Sequence, residues 1–114
     1  MPRYLALYTA DQLGPATPEH MQKMGELMQR QQQARKLVAT GGLKKKDTHG
    51  FRLRQKNGAV TLEEGGAEWA RANGWAILQA NSREELIGDI KEFLAAAGDG
   101  VSEVIEIFEP PPPS

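Results

Sequence analysis

His20 is the residue of this chain best placed to move a proton. It follows Thr17, Pro18 and Glu19, a run that opens a helix, and so falls in that helix's first turn. An imidazole there can take or give a proton near neutral pH. Asp11, on the stretch leading into the same helix, is the nearest carboxylate in sequence that could orient it, although an Asp shortly before Gly14-Pro15 equally suits a turn. Tyr8, at the end of an aromatic and apolar run, could donate a hydrogen bond to an oxyanion or simply pack half-buried at a strand end. Arg52, Arg54 and Lys56 recur at period two and share one strand face. Such a row can hold the phosphate or carboxylate of an anionic ligand, or pair with Glu103, Glu106 or Glu109 across a dimer. Trp69 and Trp75 flank Asn73-Gly74 and could wall a pocket or fill a core or dimer interface. The candidate site is therefore His20 with Asp11 as an acid/base pair, and Tyr8, Arg52, Arg54 and Trp75 as ligand-binding residues for a small anionic or aromatic molecule.

Other chemistries find no residues to carry them. The absence of cysteine removes disulfide scaffolds, thiolate zinc sites, iron–sulfur clusters and thiol nucleophiles together. His49, between Lys44-Lys45-Lys46-Asp47-Thr48 and Gly50, reads as a loop residue. No His-x-x-x-His or Glu-x-x-His spacing joins it to His20, so no metal is expected. Neither a Gly-Lys-Ser/Thr nor a Gly-x-Gly-x-x-Gly run occurs, and Ser82, Ser102 and Ser114 fall at a cap, a strand start and the tail. No cofactor is expected. An isoelectric point near 6.1 and 6% aromatic residues argue against nucleic acid. No apolar run approaches the roughly 18 residues of a membrane span, and Met1–Thr9 lacks the basic start and cleavage site of a signal peptide. A cytoplasmic protein with no membrane contact is the expectation.

The elements that must position these residues are legible in the patterning. The chain has 114 residues, 39% hydrophobic and 25% charged, enough for one globular domain. Residues 1–56 carry +7 and residues 57–114 carry −8, which suggests self-complementary packing or simply two solvated faces. Arg3–Tyr8 reads as a strand. An amphipathic helix follows from Pro18, with Met21, Met24, Leu27, Met28, Ala34, Leu37 and Val38 mainly on one face and Gly41-Gly42 ending or redirecting it. A short strand around Val38–Leu43 is the competing reading of its end. From Phe51 to Leu62 the period becomes two around Asn57-Gly58, a hairpin turn.

Ala67 to Ala72 could make one or two helical turns, and Trp75–Ala80 reads as a strand. Ser82 with Glu85 is a capping box for a helix whose Leu86, Ile87, Ile90, Phe93, Leu94 and Ala97 form a stripe. Val101–Phe108 reads as the last strand, with Val104, Ile105, Ile107 and Phe108 buried on one side or the other. Two βαβ crossovers on one sheet predict an α+β, ferredoxin-like split βαβ domain over residues 1–109, with both helices on one face of an antiparallel sheet and the hairpin as an insertion. Residues 110–114 form a proline-rich tail that cannot continue a ladder. Such a sheet leaves one face bare. Tyr4, Ala6, Tyr8, Phe51, Leu53, Trp75 and Ile77 are the candidates for it, and a homodimer through sheet faces would cover them.

With these segments in place the chain resembles the YCII-related, or DGPF-domain, proteins of the dimeric α+β barrel superfamily. The resemblance runs over about residues 2–109 and rests on Arg3-Tyr4-Leu5-Ala6-Leu7-Tyr8, Pro18-Glu19-His20-Met21, the hairpin, Gly74-Trp75-Ala76-Ile77-Leu78, Ser82-Arg83-Glu84-Glu85-Leu86 and Glu103-Val104-Ile105-Glu106-Ile107. Where one branch carries the Asp-Gly-Pro-Phe motif that names it, this chain has Glu63-Glu64-Gly65-Gly66, then Ala67-Glu68. The resemblance implies a dimer. It also implies, for members with a His opening the first long helix, proton transfer with an Asp on small cyclic or aromatic substrates, and His20 matches that His. The two readings it leaves are a non-catalytic small-molecule-binding or regulatory module and an enzyme of that kind.

Overall fold

The computed structural model describes residues 1–12, 17–64 and 71–108. Its elements, in chain order, are β1 (Arg3–Ala10), α1 (Pro18–Gln33), β2 (Leu37–Gly42), the one-turn α2 (Lys46–His49), β3 (Phe51–Lys56), β4 (Ala59–Glu64), β5 (Gly74–Gln79), α3 (Arg83–Ala97) and β6 (Gly100–Ile107). The main sheet has the order β2-β5-β1-β6 with every neighbouring pair antiparallel, and β3-β4 forms a separate two-stranded sheet. With the hairpin set aside, this is the split βαβ arrangement of an α+β domain. No described helix is long and apolar enough to cross a membrane.

Local signals account for most of the boundaries. Thr17 Oγ1 accepts the His20 N–H at 3.1 Å, and Ser82 Oγ accepts the Glu85 N–H at 3.2 Å, so both long helices start at side-chain caps. Asn57 and Gly58 both take positive φ, 52° and 81°, as a two-residue hairpin turn requires. The end of α1 differs from the glycine stop. The helix finishes at Gln33, and Arg35 turns the chain at φ 60°. Arg35 N–H donates to the Gln32 carbonyl and Lys36 N–H to the Gln31 carbonyl, which together close a Schellman motif. Leu37 and Val38 therefore belong to β2, the competing strand reading, and not to the helical stripe.

The core lies between the sheet and the helix layer. Ala6, Leu37, Leu78, Ala80 and Leu86 form the buried cluster, with Met28 of α1 and Ile90 of α3 packed on it, so both helices cover one face. That placement settles which face of β1 looks where. Ala6 is buried in the core, and alternation sends Tyr4 and Tyr8 the same way. Of the residues expected on the bare face, Tyr4, Ala6 and Tyr8 thus point to the helices. Leu5 and Leu7 take their place there, opposite Ile77 and Trp75 in the β1–β5 register. A one-residue shift in which face is taken as covered moves every side chain of a strand.

Several burial expectations are also corrected. Met21 is exposed and Ile87 is exposed, so the helix stripes are narrower than their apolar residues. β6 is an edge strand that ends at Ile107, with Val104 exposed on it and Phe108 exposed beyond it, and Ile105 is exposed on the uncovered face of the sheet. His49 closes the short helix α2 and is not in a loop. Gly14-Pro15, expected to turn the chain, Gly65-Gly66, Trp69, Glu109, the proline tail and most of the segment expected to be helical over 67–72 lie outside the described residues, and Arg71 and Ala72 are not helical.

Candidate functional site

A cavity of about 730 Å³ opens between α1, α3 and the covered face of the sheet, within the size range of small-molecule sites. Its position follows from composition. The β1 and β5 positions that face the helices include Ala6, Ala10, Gly74 and Ala76, side chains too short to fill the space beneath two helices. Leu27, Met28, Leu78 and Ile90 line one end. At the other end the tips of β1, β2 and β5 meet the start of α1 and bring Gln12, Thr17, His20, Thr40 and Asn73 to the lining.

His20 is half-buried and faces this cavity, as its place in the first turn of α1 allows. Asp11 does not join it. Asp11 is exposed, its N–H donates to the Asp99 carbonyl at 3.0 Å, and it is not part of the cavity wall. Its carboxylate acts instead on Tyr8: burial first, then the charges of Asp11 and Asp99, raise the Tyr8 phenol above its ordinary 10.0. The phenol stays protonated at neutral pH, and its O–H faces the Gly98 carbonyl at 3.1 Å and the Asp99 carbonyl at 3.4 Å. The Tyr8 ring stands edge-on to Phe93 at 5.2 Å, a favourable aromatic geometry. Tyr8 thus lines the cavity while clasping the α3–β6 turn, and its hydrogen is already directed to backbone. Gly100 makes this possible: a Cβ there would stand 2.5 Å from the Thr9 carbonyl oxygen and 2.9 Å from the Tyr8 hydroxyl.

Trp75 meets the cavity at the β2–β5 border, where its carbonyl accepts from Thr40 Oγ1 at 2.7 Å. Its indole lies against Gly41, where a Cβ would come within 2.7 Å of Nε1. Arg52 and Arg54 are on the hairpin and not at the cavity. Both pair with Glu63 across the β3–β4 ladder, Arg52 through Nη2 and Nε, Arg54 through Nε at 3.1 Å. The sequence offered this row an anionic ligand or, across a dimer, a glutamate of the last strand; within the chain two of its guanidiniums meet Glu63. The two guanidiniums together hold the Glu63 carboxyl below its usual range.

Asn73 is the residue that sequence reasoning missed. Its N–H donates to the Tyr8 carbonyl at 2.7 Å, its Oδ1 accepts from Ala10 N–H at 2.7 Å, and its carbonyl accepts from Leu43 N–H at 2.9 Å. One side chain and its backbone therefore join the ends of β1 and β2 at the polar end of the cavity. The Asn-Gly pair signals a turn, but the partners of Asn73 are 65, 63 and 30 residues away in sequence. Asp89 was missed too. It borders the cavity from α3 and binds Lys36 Nζ at 3.0 Å, with Glu85 at 3.7 Å from the same ammonium. The hydrogen bond to Asp89 raises the Lys36 pKa, against the opposing effect of burial.

Comparison with protein-family models and with curated proteins finds no match to this sequence.

Proposed function

We propose that the protein is a small-molecule-binding or regulatory module of the YCII-related kind, acting as a homodimer through the uncovered face of its sheet and taking its ligand into the cavity beneath α1 and α3. The observation that carries the reading is the cavity itself: walled mainly by apolar side chains, with His20, Asn73 and Thr40 gathered toward the start of α1. Binding without catalysis is favoured because Asp11 stands outside the cavity, which leaves His20 with no orienting carboxylate from that residue. The dimer is supported by apolar side chains on the uncovered face, Val101 at 53% and Ile105 at 67% exposed, beside Leu7 and Trp75.

The second reading, an enzyme transferring a proton on a cyclic or aromatic substrate, keeps one observation in its favour: His20 faces the cavity. Thermal unfolding against small aromatic acids, their alcohols and lactones, with wild type beside His20→Ala, separates the cases. A rise of several degrees that weakens in His20→Ala supports a ligand at this site, and a His-dependent conversion of that ligand would replace binding by catalysis. No rise in either protein overturns the cavity as a ligand site. Ile105→Glu is expected to yield a monomer in sedimentation, and an unchanged dimer would move the interface elsewhere.

A further inference from the structure

We infer that the ligand of this cavity is an uncharged amphipathic molecule, an apolar body with a neutral hydrogen-bonding head, and not an anion; the inference rests on the cavity being the ligand site. No Lys or Arg is part of the described cavity wall, and residues 13–16 and 65–70 contain neither. A carboxylate or phosphate entering a largely apolar space without a cation loses its hydration with nothing in return. The carboxylates present point the same way. Asp89 borders the cavity with its charge matched by Lys36, and Asp11 and Asp99 surround Tyr8.

The start of α1 does not reverse this. Pro18 has no N–H, Thr17 Oγ1 occupies that of His20, the Thr17 carbonyl takes that of Met21, and Glu19 adds a carboxylate to the first turn. The polar side chains that remain carry no fixed charge: Gln12, Thr40, Asn73, Gln31 and Ser102, with the imidazole of His20 among them. They are mostly at one end. From His20 to Gln31 the cavity follows α1 for about 16 Å at the helical rise per residue. An elongated apolar body fits along Met24, Leu27 and Met28, with its polar head among His20, Asn73 and Thr40.

The test is titration calorimetry of the full chain at neutral pH with 1-decanol, decanoate and decylamine, each below its aggregation concentration. All three are ten-carbon molecules, with a neutral hydroxyl, an anionic carboxylate and a cationic ammonium as their heads. Decanol is expected to bind about tenfold or more tightly than either charged analogue, since no Lys or Arg is part of the described wall and its Asp89 is paired with Lys36. Decanoate equal to or tighter than decanol overturns the uncharged class while the cavity stands as a ligand site, and decylamine tighter than decanol overturns it in favour of a cation. Failure of all three to bind overturns the cavity reading itself. In Asp89→Asn, decanoate is expected to gain on decanol by several fold, and an unchanged ratio removes Asp89 from the argument.

Discussion

Leu53 and Leu78 sit on the apolar faces of two strands, yet Leu53 is 59% exposed and Leu78 only 8%. The hairpin holding Leu53 is built from local parts: a turn with two positive φ angles, a ladder between adjacent strands, and Glu63 joining Arg52 to Arg54. The sheet holding Leu78 is built from distant ones, with β5 between β1 and β2 and both helices above. Alternation creates an apolar face, but only another element covers it. Phe51, Leu53, Val60 and Leu62 show the uncovered case, each more than half exposed on one side of the arm.

Truncation gives the largest test of that contrast. Leu86→Ala, in the buried cluster, is expected to cost about 2–5 kcal/mol in urea unfolding. Leu53→Ala, on the arm, is expected to cost less than about 0.5 kcal/mol. Equal losses would break the comparison and mean that the arm is covered in solution.

A smaller effect separates the two regions by backbone conformation. Arg35 occupies the left-handed position that ends α1, next to the β2 strand of the main sheet. Arg35→Gly is expected to stabilise the main domain by about 0.5–1 kcal/mol, because glycine takes this conformation without a Cβ clash. A loss on substitution would show that the guanidinium contributes more than the backbone relief.

The smallest effect is electrostatic and belongs to the arm. Glu63 has its pKa lowered by Arg52 and Arg54, so its contribution to hairpin pairing is full above the ordinary glutamate value of 4.5 and is lost as pH falls through the depressed value. Lys36 has the opposite sign. Its pKa is raised, so its tie to Asp89 is full below 10.5 and is lost as pH rises through the raised value. Protection of the arm amides, relative to their intrinsic exchange, should therefore fall in acid, while that of amides at the β2–α3 contact should fall in alkali. Glu63→Gln should abolish the acid response of the arm, and its persistence would place the titrating group elsewhere.

Short-range features were legible from the residues alone. Thr17 and Ser82 cap because their hydroxyls reach N–H groups three residues on, and Asn57-Gly58 turns because both residues accept positive φ. The α+β class and the inserted hairpin followed from such periods and stops. His20 reached the cavity by the same local logic, since a helix start fixes its first turn. What the tertiary structure alone decided were matters of pairing and covering: which side of β1 meets the helices, that Arg52 and Arg54 meet Glu63 and stay off the cavity, and that Asn73 joins β1 to β2. Local sequence sets the conformation of a few residues at a time, whereas the partner of a strand face or a carboxylate is chosen by segments tens of residues away. Only their packing brings those segments together.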